Sequence, residues 1–443
     1  MGIEICTVGG YDEVGRNMTA IRVDDEVVIT DMGLHLDPYV KYTEGEEKCD
    51  LSAAALTRIG AIPDVNPMKH WINEVIAIIP SHAHLDHVGA VAFLSNRFDA
   101  TIYCTPFTAA VIRAICRDEK IKLKNDITVH DAGARFKLSD KITIEFVHMT
   151  HSTPQTVMVV VHTPYGAILY CNDFKLDDHP LLGKTPPYER LQKLGNEGVL
   201  CAIMDSTRAM LAQKTPSEKV AKEMLSDVLI DVDSTGKTVV VTTFSSHIAR
   251  LKSIIELGRK MNRKVVFLGR SLGKYVLAAE SCGIVKFTDQ VELVQYKKKI
   301  KKKLRIIAEH PEKYLVVCTG HQGEPQSVLS RIANGEYDYK FRREDHIVFS
   351  CTVIPTPVNA FNRQHLEKKL HEMGVRIFKD IHVSGHASRE DHRDMLKMLR
   401  PKHIIPSHGP LLMTKNLASL AYEMGWDRKN VHIMRNAEFV KLV

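Results

Sequence analysis

The sequence predicts an α/β protein of two domains, and three observations lead there. Its 443 residues exceed the ~250–300 at which a single hydrophobic core stops growing, so two cores are expected. Short β-branched runs dominate the first 210 or so residues, and several of them stop at Asp or His. From about residue 211 the texture changes to regular alternation of helical and strand-like stretches, which argues a mostly parallel sheet covered by helices.

The elements follow in order. "GIEICTV" and "MTAIRVDDEVVIT" read as opening strands, while "HVGAVAFLSNRF" (87–98) and "TPFTAAVIRAICRDEKI" (105–121) read as helical. In the second region "SEKVAKEMLSDVLIDV" precedes "KTVVVTTF" and "HIARLKSIIELGRKM" precedes "KVVFLG". "SLGKYVLAAESCG" follows, then "YLVVCTG" and "HIVFSCTV". The expected division is 1–210, 211–384 and 385–443, the last segment returning to the first domain. Substrate is expected in the cleft between the domains, a common place for ligand sites.

Composition narrows the class. Apolar residues make up 44% and charged residues 26%, as in ordinary globular proteins. No segment approaches the ~20 continuous apolar residues of a membrane span. "MGIEICTVGG" lacks a signal-peptide pattern, and Cys6 stands where myristoylation needs Ser or Thr. Nine cysteines without a Cys-x-x-Cys pair suggest reduced thiols in a cytoplasmic protein. The net charge of +7 equals the seven basic residues of "KKKIKKKLR" (297–305), from Lys297 to Arg305. That run is either a solvated helix face or a patch for a polyanion.

The chemistry concentrates in "SHAHLDH" (81–87), which follows the apolar run "VIAIIP". Imidazole nitrogens and carboxylates are standard ligands of divalent zinc. Four more apolar runs are followed within a few residues by Asp31, His151, Asp173 and His408. Singly each is an ordinary turn or cap residue. Together they can be delivered to one edge of a sheet, where loops carry chemistry on a rigid scaffold.

This set resembles the metallo-β-lactamase superfamily, with its His-x-His-x-Asp-His signature and later His and Asp ligands. The candidate last ligand, His408, lies 235 positions after Asp173. "MDST" (204–207), "SGHAS" (384–388) and "PSHG" (406–409) look like motifs A, B and C of its β-CASP nuclease branch, at Asp205, His386 and His408. "GGYDEVGRN" (9–17) and "TGHQGEP" (319–325) resemble that branch too. The resemblance implies a metallo-β-lactamase αββα sandwich with an inserted β-CASP α/β domain. Only 30 residues precede Asp31 and 35 follow His408, so no KH-type or extra C-terminal domain is expected. In this the chain is similar to the compact archaeal ribonuclease J branch, 5′→3′ exoribonucleases.

By resemblance, His82, His84 and His151 hold one zinc, Asp86, His87 and His408 a second, and Asp173 bridges them. The implied reaction is two-metal hydroxide attack on the phosphodiester, with Asp86, Asp173 and His386 at the chemistry. Asp31 reads as the orienter of a ligand histidine, and Asp205 as the orienter of His408. His386 suits a donor to the scissile phosphate, although a structural loop histidine would look the same. Candidate phosphate contacts are His382, Val383, Ser384, Gly385, His386 and Ser388, with Ser245, Ser246 and His247 at a helix start. Gly385 is read as letting backbone amides approach an anion. Ser245 or Ser246 can equally well cap that helix. Ser384, His386, Ser388 and one of those serines are expected to line a pocket for a 5′-monophosphate. Trp71 reads as core. Expected partners are single-stranded RNA and a second copy of the chain, with no membrane. Other readings are an endoribonuclease of the cleavage-factor type, a small-molecule metallohydrolase and an inactive RNA-binding subunit.

Overall fold

Two strand-rich stretches at the start of the chain form a meander rather than isolated strands. Met18–Val23 and Glu26–Thr30 pair antiparallel across a turn in which Asp24 takes the left-handed conformation (φ 58°). The computed structural model describes residues 1–44, 51–354 and 356–443, without the side chain of residue 44. These divide into two compact units, Met1–Asp178 with Gly183–Thr215 and Ser384–Val443, and His179–Leu182 with Pro216–Val383.

The first unit holds two sheets. In the seven-stranded one, Glu438–Lys441 and Ile3–Gly9 join the meander antiparallel, then Val75–Ile79, Thr101–Cys104 and Ile127–Val129 follow in parallel. The six-stranded one runs antiparallel from Arg135–Lys137 through Thr143–His148 and Val157–Thr163 to Gly166–Cys171. Val199–Asp205 and His403–Ser407 then add in parallel. Side-chain alternation assigns the faces. Ile168 and Tyr170 join Val28, Ile79, Phe146 and Ile203 in a core that takes residues from both sheets. Leu169 and Cys171 pack with Leu191, Leu194, Met395, Leu399 and Leu417 of three helices, Tyr188–Glu197, Arg389–Leu399 and Leu411–Glu423. The architecture is the αββα sandwich.

Residues 105–121 form a helix, Pro106–Glu119. Residues 87–98 do not form one helix. They break into Leu85–Val88, Val91–Leu94 and a 3-10 turn, because Ala90 N donates to Met32 O outside the helix. Trp71 is 1% exposed, in the core as expected. The eight described cysteines are free, and seven are buried. No helix among the described residues is long and apolar enough to cross a membrane.

In the second unit one six-stranded sheet runs Glu292–Val294, Lys264–Leu268, Tyr314–Cys318, Val239–Thr242, His346–Phe349, Arg376–Phe378. Every pairing is parallel, stricter than the mostly parallel sheet expected. The strands are continuous apolar runs such as "VVVT" and "YLVVC", as sheets buried on both faces require.

Candidate metal centre

Strand direction assembles the site. Gly166–Cys171, Val199–Asp205 and His403–Ser407 are parallel neighbours, so Asp173, Asp205 and His408 arrive at one sheet edge. Thr143–His148 runs the same way, since both it and Gly166–Cys171 are antiparallel to Val157–Thr163, and His151 follows it. In the other sheet Glu26–Thr30 and Val75–Ile79 are parallel and deliver Asp31 and the 81–87 turn. Asp31, Asp173 and His408 have φ of 57°, 55° and 59°. Left-handed backbone at non-glycine residues costs ~1–3 kcal/mol each, and such strain gathers at functional sites.

Three groups of ligand-capable atoms form around Asp173: the two expected sets, and a third of Asp173, Asp205, His386 and His408. His84 Nδ1 lies 3.1 Å from both His82 Nε2 and His151 Nε2. Asp173 Oδ2 closes that group at 3.3 Å from His82 Nε2 and 3.5 Å from His151 Nε2. In the second group, His87 Nε2 is 3.2 Å from Asp173 Oδ2 and 3.6 Å from Asp86 Oδ2. His408 Nε2 is 3.4 Å from Asp173 Oδ1 and 3.7 Å from Asp86 Oδ2. A tetrahedral ion with ~2.0–2.2 Å bonds keeps its ligand atoms ~3.3–3.6 Å apart. The first group, at 3.1–3.5 Å, and the second, at 3.2–3.7 Å, lie within about 0.2 Å of that spacing. Asp173 Oδ1 is buried without a hydrogen-bond donor, which a bound cation would remedy.

The opposite ring nitrogens are held by the protein. His87 Nδ1 donates to Asp31 Oδ2 at 2.6 Å, and Asp31 also accepts from Ser81 N at 2.7 Å and Ser81 Oγ at 3.0 Å. His82 Nδ1 lies 3.0 Å from that same serine hydroxyl. His151 Nδ1 donates to Gly385 O at 2.7 Å. Fixing one nitrogen aims the other, and Asp31 stands where an orienter of His87 would stand. Burial pushes His84 down to about 3 and also lowers His82 and His151, leaving lone pairs for a metal. Burial works against charge on Asp173 too, but His87 and His408 outweigh it and keep the carboxylate ionised.

Asp205 departs from expectation. Its Oδ2 meets His386 Nδ1 at 2.8 Å, whereas His408 Nδ1 donates to Asn17 Oδ1 at 2.8 Å. Asp205 therefore orients His386. Burial disfavours charge on His386, yet Asp173 and Asp205 overcome this and raise it to about 9. Asn17, buried, also donates through Nδ2 to Asp86 O at 3.1 Å and lies 3.2 Å from His87 Nε2, so it touches three residues of the second group. Its own residue type does not mark it for this, although it ends the "GGYDEVGRN" stretch. At Gly385 a Cβ would lie 2.9 Å from the His151 ring, so the glycine makes room for that histidine.

Three family descriptions match the chain: "Beta-lactamase superfamily domain" over residues 57–188, "Ribonuclease J, beta-CASP domain" over 236–366, and "Zn-dependent metallo-hydrolase RNA specificity domain" over 364–434. Ribonuclease J of Methanocaldococcus jannaschii is 45% identical over 441 residues, covering 99% of this chain and 98% of its own. The chain belongs to the ribonuclease J family. Ribonuclease J of Pyrococcus abyssi is 43% identical (99% and 97% covered), and Ribonuclease J 1 of Streptococcus pyogenes 31% (99% and 74%). A crystal structure of a protein of unknown function from Enterococcus faecalis V583 shares the fold, with TM-score 0.67, 15% identity and full coverage of both chains.

In this ribonuclease J relative the phosphate candidates are spread over both units. In the first, Ser384 Oγ accepts from His386 N at 3.1 Å, shaping the loop. Ser388 is buried. Its Oγ lies 2.9 Å from Thr215 Oγ1 and its N donates to Asp391 Oδ2 at 3.0 Å, so the residue serves the start of helix Arg389–Leu399. In the second unit His247, not a serine, occupies the N-cap of Ile248–Lys260, without a side-chain capping bond. Ser245 Oγ instead meets Ser271 Oγ at 3.0 Å, Ser246 is buried, and Val383 is buried beside half-buried His382.

The lysine run is a helix, Lys297–Glu309, with Ile300, Lys303, Leu304 and Ile307 inward. Lys303 is buried, paired with Glu292 at 2.7 Å and 4.3 Å over the Tyr314 ring. Lys301 and Arg305 share Asp338 at 3.1 and 2.6 Å. The run thus presents less positive charge than its composition suggested.

Proposed function

We propose that this metal-dependent ribonuclease removes nucleotides from the 5′ end of single-stranded RNA, with two zinc ions in the Asp173 groups. The observation carrying it is the shared carboxylate, Asp173, between two tetrahedrally spaced sets of nitrogen and oxygen ligands. Bound there, the ions would lower the pKa of water toward ~7 and neutralise charge developing on the phosphodiester.

The chain's own residues do the rest. Asp31, Ser81, Gly385 O and Asn17 aim the ligand rings, so the site needs little reorganisation on loading. His386, held through Nδ1 by Asp205 and favoured as imidazolium, offers its Nε2 proton to the scissile phosphate or the leaving oxygen. Ser245, Ser246, His247 and His382 of the second unit are the groups we assign to the 5′-phosphate. Donors matched to an anion are left unpaired when it is missing, and this produces an end preference. A second copy of the chain as partner, and a cytoplasmic setting, belong to the same reading.

A time course on one RNA with a 5′-monophosphate, 5′-hydroxyl or 5′-triphosphate tests it. Mononucleotides should appear from the start, fastest with monophosphate and slowest with triphosphate. Mid-chain fragments appearing first at equal rates on all three ends would make the enzyme an endonuclease, and shortening from the 3′ end would reverse its polarity.

A further inference from the structure

Arg250 is a fully buried charge outside the metal centre. Its Nε and Nη2 donate to Glu218 Oε1 and Oε2 at 2.5 and 2.9 Å. Nη1 donates to Ser350 Oγ at 2.7 Å, Ser350 O at 3.1 Å and Ile381 O at 3.2 Å, and lies 3.5 Å from His382 Nδ1. Glu218 Oε2 in turn lies 3.5 Å from His247 Nε2. One ion pair therefore ties together the starts of helices Glu218–Leu229 and Ile248–Lys260, the residue after strand His346–Phe349, and segment 381–382.

Stability is a weak reason for such a pair. Desolvating two charges offsets most of their attraction, and apolar residues of equal volume often serve as well. The arrangement does fix two histidines. Guanidinium only donates, so the His382 nitrogen beside it keeps its lone pair and the ring proton sits on Nε2, a donor to an anion. A carboxylate only accepts, so the His247 proton faces Glu218 at 3.5 Å, which holds that ring without aiming a donor at an anion.

We propose that Arg250 and Glu218 are a positioning pair that sets His382 for the 5′-phosphate of the RNA. The inference rests on the reading that His382 meets that phosphate. Arg250→Met alone strands a buried carboxylate and should unfold readily. Arg250→Met combined with Glu218→Leu removes both charges and should recover most of the melting temperature.

In that double variant KM for 5′-monophosphate RNA should rise about tenfold, the scale of one lost charge-assisted hydrogen bond, while kcat changes far less. The rate preference for monophosphate over hydroxyl ends should shrink to match. A folded double variant with wild-type KM and preference overturns the proposal. Should it not fold, Glu218→Gln is measured instead, and an unchanged preference there overturns it equally. His382→Ala, run in parallel, separates the two ideas. If His382→Ala loses the preference and the double variant keeps it, the positioning role fails and the phosphate reading stands. If His382→Ala keeps the preference, the phosphate reading fails and the positioning role falls with it.

Discussion

The carboxylate of Asp205 lies 2.8 Å from Nδ1 of His386, and that contact sets this histidine beside Asp173, which all three candidate metal groups share. Asp173 Oδ1 is 3.8 Å from the same His386 nitrogen. Charge at the metal ligands and the protonation of His386 are thus joined through two acids.

Asp205→Asn should uncouple catalysis from metal binding. An amide no longer stabilises the imidazolium, so cleavage should fall ~10²–10⁴-fold, the range for a lost general acid. Metal per chain, measured by elemental analysis, should match wild type because His408 leans on Asn17. Loss of metal in step with activity would return Asp205 to the ligand His408.

Asn17→Ala removes the acceptor of His408 Nδ1 and a donor to Asp86 O. Outer partners of this kind are worth ~10–100-fold in metal affinity. Titration with a competing chelator should show one weakened ion and one of near wild-type affinity. Two equally weakened ions would mean that Asn17 supports the whole centre and not the Asp86–His87–His408 group.

Gly385→Ala puts a methyl group 2.9 Å from the His151 ring. Both the metal at His82, His84 and His151 and the loop bearing His386 should be disturbed. Reduced metal content together with reduced cleavage is the expected result. Wild-type values for both would show that the loop yields without strain.

The lysine helix should split into two behaviours. Lys303→Ala should lower the melting temperature, since it empties a buried position and leaves Glu292 without its closest partner. Replacing exposed Lys298, Lys299 and Lys302 by Ala should leave melting unchanged. If RNA lies there, the slope of log affinity against log salt should flatten by ~2, at ~0.7 per single-strand phosphate contact. An unchanged slope would remove this helix from the RNA path.

Glu145 provides a pH test away from the metals. Burial opposes its charge, but Arg190 and then His162 lower it from 4.5 to about 2. A carboxylate depressed in the folded state stabilises above its unfolded value and loses that contribution as pH falls through the folded one. Wild type should melt above Glu145→Gln at neutral pH, with the gap closing between about pH 4.5 and 2. A gap independent of pH would mean that Glu145 acts by packing.

The residues of the candidate metal groups are legible because strand ends followed by His and Asp leave a pattern along the chain. His82, His84, Asp86 and His87 stand within six residues, and Asp31, His151, Asp173 and His408 each follow an apolar run. Asn17 leaves no such trace. Its role depends on the fold bringing it to a histidine 391 positions away. The partner of Asp205 is hidden for a similar reason. Asp205 and Ser407 are register partners, which makes His408 the natural guess, yet the 384–388 loop brings His386 to that carboxylate instead. At Gly385 the room made for the His151 ring could not be read from the sequence, because that ring lies 234 positions away in the chain. In the second unit the parallel sheet followed from alternation alone, while the N-cap at His247 could not be distinguished from one at Ser245 or Ser246.

The order of strands along the chain has a consequence during synthesis. Ile3–Gly9 takes Glu438–Lys441 as a neighbour, and Val199–Asp205 takes His403–Ser407. Residues 216–383 have therefore all left the ribosome before the first unit can complete either sheet. A nascent chain still lacks His408, and with it a member of the second candidate metal group. Contacts so distant in sequence also form slowly. If His408 holds a metal as proposed, RNA cleavage would have to wait until strand His403–Ser407 has joined its sheet.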